Sequence, residues 1–392
     1  MNLVHRFHSL VTALSIAVVS ICSFPAAASE TTAIIVSALH DPVLVKGSDG
    51  MDHLEYDLLF TNVFFGPVTL SSVEALAPDG RRLLLLEGDD LKNHFQPMPG
   101  DGEPSDELPS SGSGAIVMDV IVKPGEAPGR ITHRIKYAVA PNPLDSIIGS
   151  TEIDGPELTV SSIRPIVIAS PVKGDGWLNA NGCCMPSIHR SLRMVQDGLH
   201  YIKPETFAID WIQTRGNKLY DGDGKTNEQY FTYGVDILSV ADGIVVSVRD
   251  DMEDTPPNTP PTTVKSPGDY AGNHVVVLIQ PGVWASYAHL KPGSVTVKEG
   301  DKVTTGQVLG RLGSTGNSTA PHLHFGLGDG PDILTSNSLP FVIGSYELVG
   351  SVDLDTAEGA FFKGIPFKYE KGSPSGPQSE SLQLFFTVAD YD

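Results

Sequence analysis

Cysteine is scarce in this chain, with only three in 392 residues. Cys22 lies in an apolar stretch near the N-terminus, and Cys183 and Cys184 are adjacent. Adjacent cysteines cannot join distant parts of a fold, and the lack of a second pair at metal-binding spacing argues against a cysteine zinc site. Because disulfides persist in exported proteins, we expect a vicinal disulfide rather than free thiols.

Positive charge is also scarce. The chain has 26 Lys and Arg against 47 Asp and Glu, which gives a formal net charge of -21. An acidic surface argues against partners such as nucleic acid or anionic membranes. We therefore expect no nucleic-acid partner, and a solvated acidic surface is the simplest interpretation of the charge.

Apolar runs long enough to cross a membrane are missing after the N-terminus. Residues 1–28 contain the early positive charge of Arg6, a mostly apolar stretch from Leu10 to Phe24 and a small-residue segment, Ala26–Ala28. This order is typical of a secretory signal peptide, and the apolar stretch is too short to predict a membrane span. The sequence thus predicts an exported protein that is periplasmic, extracellular or located in the cell envelope.

What the chain does contain is a series of short strand-like segments, and the predicted fold class is all-β. Residues 30–170 predict an N-terminal β-sandwich, because apolar runs such as "LEYDLLFTNV" and "AIVMDVIVKP" alternate with Gly, Pro, Asp and Asn. Pro97–Gly114 is expected to be a flexible acidic loop. No cluster of potential metal ligands occurs here, which favours a spacer, docking or substrate-positioning role.

Residues 171–350 predict a second β-rich domain, either a small sheet or a barrel-like structure. Glycine and β-branched residues dominate its segments, for example "DILSVADGIVVSV" and "GNHVVVLIQ". We expect residues 351–392, the C-terminal extension, to pack one or two strands on the outside of this domain.

The most informative motif is "PHLHFGL", in which His322 and His324 stand two residues apart. Residues at i and i+2 of a strand point to the same face, so the two imidazoles should project together while Leu323 and Phe325 face a core. An HxH pair alone does not identify a site, because histidine is a common surface residue.

Two further segments supply possible partners for this pair. In "SYAHL", Tyr287 and His289 are expected on one face of a strand, and in "FAIDW", Asp210 lies within an apolar run. A carboxylate in such a run is costly to bury unless it is paired or bound to a cation. Imidazole and carboxylate are suitable zinc ligands, and zinc lowers the pKa of bound water to about 7.

Together these motifs resemble the lysostaphin/LytM-type zinc metalloendopeptidases. The resemblance covers roughly residues 206–328 and rests on the combination of the YAHL segment, the hairpin-like "GDKVTTGQVLG" and "STAPHLHF". It implies a duplicated hybrid motif fold, zinc as cofactor and hydrolysis of the peptide part of bacterial peptidoglycan.

The resemblance also implies roles for individual residues. By position in the motifs, Asp210 and His324 correspond to metal ligands. His289 and His322 correspond to the catalytic histidines.

One position departs from the family pattern. Thr206 occupies the place of the first histidine ligand, four residues before the aspartate, and the alternative placement on Asp236 also puts a threonine, Thr232, in that place. His189 or His200 is available to replace the missing ligand. We favour His189, because it precedes the strand of Asp210 by a turn-sized segment and could fold back beside it. The arrangement of "NGCC", "HR" and "FAIDW" also resembles a branch of the family that lacks the usual first histidine.

Two other functions are compatible with the sequence. A degenerate member of the family would bind the cell wall or activate other hydrolases without catalysis. A lipoyl- or biotinyl-like carrier would need a modifiable lysine at a tight turn, whereas Lys302 is expected at the start of a strand. The retained downstream histidines favour the enzyme.

Overall fold

The computed structural model describes residues 30–98 and 104–392 of the chain. The predicted signal peptide, residues 1–28, lies outside the described residues. Strands dominate both halves of the molecule, so the predicted all-β fold class is confirmed. Within residues 30–98 and 104–392, no helix combines the length and apolarity needed to cross a bilayer.

The N-terminal half is a sandwich of two antiparallel sheets. One sheet has the strand order β1-β3-β8-β6 with β2 also paired to β3, and the other has the order β10-β9-β4-β5 with β7 and β11 at its sides. The strands are β1 (Ile34–Ala38), β2 (Val43–Lys46), β3 (Asp52–Asn62), β4 (Val68–Leu76), β5 (Arg82–Glu87), β6 (Phe95–Met98), β7 (Glu107–Leu108), β8 (Ser113–Val122), β9 (Arg130–Val139), β10 (Glu152–Asp154) and β11 (Leu158–Thr159).

Strand β3 is buried on both faces. Its even-numbered residues Leu54, Tyr56, Leu58 and Phe60 fill the core between the two sheets. The alternate residues, which include Glu55 and Asp57, are also inaccessible to solvent because the second half of the chain covers this face. The sheet of β3 therefore packs against both its partner sheet and the second domain.

The segment predicted as a flexible acidic loop, Pro97–Gly114, contains regular structure in its described part. Strand β7 pairs with the first two residues of β4, Val68 and Thr69, and Leu108 is fully buried. Burial of this leucine and the added backbone pairing hold the end of the segment to the sandwich.

The second half is built around one large sheet, with the order β12-β25-β27-β13-β16-β23-β20-β19-β18-β21. Strand β24 pairs with β23, β26 pairs with β25, and β14–β15 and β17–β22 form separate pairs. The strands are β12 (Ile166–Ile168), β13 (Gly174–Asn179), β14 (Met194–Gln196), β15 (His200–Ile202), β16 (Ile209–Gln213), β17 (Asp236–Leu238), β18 (Gly243–Arg249), β19 (Asn273–Gln280), β20 (Val283–Leu290), β21 (Lys302–Val303), β22 (Val308–Arg311), β23 (Leu323–Gly328), β24 (Ser338–Leu339), β25 (Phe341–Ser351), β26 (Gly376–Ser381) and β27 (Thr387–Tyr391).

Helices are few and short. The α-helices are α1 (Gly88–His94), α2 (Ile188–Ser191) and α3 (Leu354–Lys363), and 3-10 turns occur at Asp145–Ile147, Asn227–Gln229 and Pro267–Asp269.

Two strands of the large sheet come from segments that were expected to lie elsewhere. Strand β12 lies within the range expected for the sandwich, but it pairs in parallel with Phe341–Ile343 of β25. Strand β27, from the C-terminal extension, lies between β25 and β13 and is mostly buried. The expectation that the extension packs only on the outside is therefore wrong for β27, because its apolar residues complete the core of the sheet.

The segment "GDKVTTGQVLG" is not a hairpin. Strand β21 pairs with Gly243 and Ile244 of β18, whereas β22 pairs with β17. Lys302 lies in β21 rather than at a tight turn, which removes the geometric basis for a carrier-domain interpretation.

Candidate active site

Asp210 and His324 lie directly opposite each other on neighbouring strands. Strands β16 and β23 are antiparallel, and these two residues are partners in the register, so their side chains lie on the same face. Nδ1 of His324 lies 3.0 Å from Oδ1 of Asp210, and both residues are buried. On the opposite face, the rings of Trp211 and Phe325 pack in the core with centroids 5.8 Å apart.

His189 joins this pair from a distant segment. It lies on helix α2, whose first turn is capped by the side chain of Ser187. Nε2 of His189 is 3.2 Å from Oδ2 of Asp210, and its ring centroid is 4.8 Å from that of His324. The other ring nitrogen, Nδ1, lies 3.1 Å from the carbonyl oxygen of Ala208, which fixes the orientation of the ring.

His322 approaches the same carboxylate as His324. Its Nε2 lies 3.4 Å from Oδ1 of Asp210, and its Nδ1 lies 2.8 Å from the carbonyl oxygen of Ala320. The prediction that both histidines of the HxH motif project to one face is confirmed.

His289 completes the group. Its ring centroid is 4.7 Å from that of His322 and 5.8 Å from that of His324. Nδ1 of His289 lies 2.8 Å from the carbonyl oxygen of Thr315, so the ring proton is held at Nδ1 and Nε2 can accept a proton. We call His189, Asp210, His289, His322 and His324 the histidine centre.

The expectation that Tyr287 and His289 share one face is wrong. Tyr287 packs in the core, with its ring centroid 5.2 Å from that of Phe325. The register between β19 and β20 shifts after Tyr287, and His289 has a left-handed backbone with a φ of 61°. This bulge interrupts the alternation of the strand and turns His289 towards the other histidines.

The glycine-rich segment 313–320 is a packed support for the histidines. The carbonyl oxygen of Thr315 accepts a hydrogen bond from His289, and Oγ1 of Thr315 accepts one from the backbone N–H of Asn273 at 2.8 Å. Gly316 has a φ of 71°, and a Cβ there would come within 2.3 Å of the backbone nitrogen of Gly272. Glycine is therefore required at position 316 by the close approach of two backbone segments.

The remaining sequence candidates lie away from the centre or lack suitable donors. His200 is exposed and contacts Gln196. Asp236 lies on β17, where it forms an exposed ion pair with Arg311 at 3.2 Å. Thr206 is buried close to Asp210 in sequence, but its hydroxyl is a poor substitute for an imidazole ligand.

Sequence reasoning missed Glu205, which is almost fully buried. One carboxylate oxygen lies 3.7 Å from Nε2 of His324, and the other lies 3.9 Å from Nε2 of His189. The hydroxyl of Tyr270 donates a hydrogen bond to Glu205 at 3.0 Å. Asp210 lies within an apolar run, whereas Glu205 precedes that run, so the local sequence does not indicate that Glu205 is buried.

Asn181 was also missed. Its side-chain amide donates to Oδ2 of Asp210 at 2.8 Å and so helps to orient the carboxylate. Asn181 lies just before Cys183 and Cys184, which form the expected vicinal disulfide and are both buried.

The charges of the centre are strongly coupled. Burial raises the pKa of Asp210, but the neighbouring His189 and His322 outweigh burial and hold this pKa well below its usual value. Burial lowers the pKa of His189, but Asp210 and Glu205 raise it to about 9. Burial and the adjacent His322 and His324 hold the pKa of His289 well below its usual value.

The donor set fits a zinc ion. His189, Asp210 and His324 each offer one ligand atom, and these atoms all lie within 4.8 Å of one another. Two donors of a tetrahedral zinc, each at roughly 2.1 Å, lie about 3.4 Å apart. Nε2 of His189 lies 3.2 Å from Oδ2 of Asp210 and Nδ1 of His324 lies 3.0 Å from Oδ1, so each imidazole is near this distance from one oxygen of the carboxylate. Two nitrogens and one oxygen leave a fourth position for water or substrate, as in catalytic zinc sites.

Comparison with known proteins supports the same chemistry. Residues 229–332 match the model of peptidase family M23. This region belongs to peptidase family M23. The M23 match includes His289, His322 and His324, whereas Asp210 and His189 precede it, so the structure is what brings these two residues to the M23 histidines.

The M23 similarity to individual proteins is local. Peptidoglycan DD-endopeptidase ShyA of Vibrio cholerae is 36% identical over 94 residues, which cover 24% of this chain and 17% of ShyA. Glycyl-glycine endopeptidase ALE-1 of Staphylococcus capitis is 49% identical over 55 residues, 14% of this chain and 15% of ALE-1. The catalytic domain of lysostaphin from Staphylococcus simulans aligns with 32% of this chain and 86% of its own, at 24% identity and a TM-score of 0.21. The chain thus spans less than a fifth of the length of these curated relatives.

Proposed function

We propose that the protein is an exported zinc-dependent endopeptidase that hydrolyses peptide bonds of bacterial peptidoglycan. The observation that carries the proposal is the convergence of His189, Asp210 and His324 beside two further buried histidines. The M23 match supports the reaction class. The names of ShyA and ALE-1 as endopeptidases, and of ShyA as specific for peptidoglycan, support the substrate class.

His189, Asp210 and His324 would hold the zinc ion. Bound zinc acts as a Lewis acid that polarises a carbonyl oxygen and makes water more acidic. Asn181 orients the Asp210 carboxylate, and the carbonyl of Ala208 orients the His189 ring. Such outer contacts fix the tautomer and the direction of a ligand before the metal arrives.

His289 and His322 would act on the substrate. The hydrogen bond from Nδ1 of His289 to Thr315 leaves Nε2 able to accept a proton from the attacking water. Nε2 of His322 faces a carboxylate oxygen of Asp210 at 3.4 Å, which favours an N–H at that atom. His322 is therefore suited to donate a hydrogen bond to the oxyanion that develops when the peptide carbonyl is attacked.

Hydrolysis of purified peptidoglycan tests the proposal. The chain without residues 1–28 should release new amino groups from peptidoglycan, lose this activity on removal of zinc by a chelator and regain it when zinc is restored. Binding to peptidoglycan with no release of amino groups from the zinc-loaded protein would instead support the non-catalytic wall-binding module.

Export is tested separately. A reporter fused after residue 28 should appear outside the cytoplasm, and cytoplasmic retention would contradict the signal-peptide prediction.

A further inference from the structure

The helix that carries His189 cannot hold its own position. Helix α2 has only four residues, Ile188–Ser191, and so short a helix is not stable in isolation. Its local bonds are the Ser187 cap, backbone hydrogen bonds from Ser191 to Ser187 and from Leu192 to Ile188, and a hydrogen bond from the Ser191 hydroxyl to the carbonyl of Ser187 at 2.6 Å. The position of His189 must therefore come from packing against other parts of the protein.

The sandwich provides this packing through Arg190, the residue next to His189. The guanidinium of Arg190 is fully buried and contacts the carboxylates of Glu55 and Asp57, both on β3. One of its nitrogens also donates to the carbonyl of Met118, on β8, at 3.3 Å. Arg190 is thus anchored to two strands of the N-terminal sheet.

Two more cations from the same segment reach the same acids. Arg193 lies 3.2 Å from Oδ2 of Asp57, and Lys203 contacts Asp57 and lies 3.6 Å from Glu55. These side chains are almost entirely buried, as are the two acids. Because buried charges need close compensation, the segment between His189 and Glu205 can dock in one place only, where three cations meet two carboxylates.

We propose that the N-terminal sandwich is a positioning module for the metal site, in which Glu55 and Asp57 hold Arg190 and so place His189 beside Asp210. The inference rests on the proposed function, because it concerns a proposed zinc ligand. It gives the sandwich a role in the site without any contact between the sandwich and the substrate. Glu55 and Asp57 are positioning residues.

Zinc affinity of the Glu55→Gln variant tests the proposal. Loss of a direct hydrogen-bond partner of a ligand typically weakens metal binding by roughly 10–100-fold. Glu55 acts on His189 through Arg190, so we expect a decrease of about 10-fold, the lower end of this range, in competition with a chromophoric chelator. Glu74→Gln is the matched control, since Glu74 lies in the other sheet of the sandwich and pairs only with the partly exposed Arg82 and Arg134. Equal zinc affinity of the two variants would overturn the proposal.

A second variant separates positioning from simple destabilisation. Glu55→Gln combined with Arg190→Met removes one buried charge of each sign, so the net charge of the group is that of the unmodified protein and the thermal unfolding midpoint should rise above that of Glu55→Gln alone. If the pair positions His189, zinc affinity stays low in this double variant, and the visible spectrum of the cobalt-loaded protein differs from that of the Glu74→Gln control. Recovery of native affinity together with stability would show that the pair only stabilises the fold.

The outcome is distinguishable from failure of the proposed function. If the unmodified protein binds no zinc, the proposed function fails. If the unmodified protein binds zinc and the Glu55→Gln variant binds zinc equally well, only the proposed positioning role of the sandwich is wrong.

Discussion

Two buried clusters of histidine and carboxylate lie in different halves of this molecule. One is the histidine centre of the second domain, and the other, which we call the His53 cluster, consists of His53, Asp49 and Asp119 in the sandwich. Both contain donors within metal-binding distance, since Cys184 also lies next to His53 and Asp119. Their residue types are similar, and the difference between them lies in where the ring nitrogens point.

In the His53 cluster both ring nitrogens already have carboxylate partners. Nδ1 of His53 lies 2.8 Å from Asp119, and Nε2 lies 3.3 Å from Asp49. The nearby sulfur of Cys184 is in a disulfide and cannot act as a thiolate ligand. The cluster is therefore a set of ion pairs in which both ring nitrogens of His53 are occupied, and it lies beside a cavity of about 200 Å³.

In the histidine centre, backbone carbonyls occupy one nitrogen of several rings instead. His189, His289 and His322 each direct Nδ1 to a carbonyl oxygen, so their Nε2 atoms face the interior of the centre. There His189, His322 and His324 share the carboxylate of Asp210, and Glu205 lies within 4 Å of His189 and His324. The comparison shows that composition alone does not distinguish a reactive cluster from a structural one.

The largest expected difference between the clusters concerns zinc. His324→Ala should reduce the zinc content from about one ion per chain to almost none, because one of three ligands is lost. His53→Ala is the control and should retain zinc. Metal analysis by mass spectrometry after dialysis measures the zinc content of both variants. Loss of zinc in the His53 variant alone would mean that the His53 cluster, and not the histidine centre, binds zinc.

The next largest expected effect is a loss of catalysis while metal binding is unchanged. His289→Ala should lower peptidoglycan hydrolysis by roughly 10²–10⁴-fold, because the group placed to accept a proton is removed. Zinc content should not change. His200→Ala, at an exposed histidine outside the centre, should keep normal activity, and full activity of the His289 variant would show that its role is assigned wrongly.

In the sandwich, breaking the cluster should affect stability instead. Asp119→Asn leaves a buried imidazolium with only the partly exposed Asp49, and we expect the free energy of unfolding to fall by about 3 kcal/mol. Urea unfolding followed by tryptophan fluorescence measures the change. Zinc content and hydrolysis by the folded protein should not change, and loss of zinc would mean that the two clusters are linked.

The smallest effect is a pH dependence of stability that arises from the same cluster. Burial lowers the pKa of His53, but the hydrogen bonds that its ring donates to Asp119 and Asp49 outweigh burial and raise this pKa to about 10. A raised folded-state pKa contributes stability that is complete below about pH 6.5, the unfolded value, and is lost as the pH rises towards 10. His53→Gln should flatten this part of the urea-midpoint profile, and an unchanged profile would contradict the assignment.

Local patterns predicted a large part of the histidine centre. The i and i+2 spacing placed His322 and His324 on one face, and the apolar run around Asp210 indicated a buried and compensated carboxylate. The orientation of His289 was not predictable from alternation, because a bulge with left-handed backbone at that residue interrupts the strand. Glu205 was missed because its burial depends on strands far away in the sequence.

Fold class was likewise predictable from strand-sized apolar runs, whereas strand partners were not. The segment 387–391 has the composition of any short strand, yet it lies in the interior of the large sheet. Its position follows from pairing with β13 and β25, more than 30 residues away in sequence for each partner. Such pairing has no local signature.

By itself the sequence determined which chemical groups are available and, where a strand is regular as at His322 and His324, which face they occupy, because side-chain direction along a regular strand is a local property. Only the tertiary structure decided that His189 lies beside Asp210 and His324. In the positioning role proposed for the sandwich, this placement depends on Arg190 meeting Glu55 and Asp57 across the two domains. Long-range compensation of buried charge, rather than any motif, brings the last proposed ligand to the site.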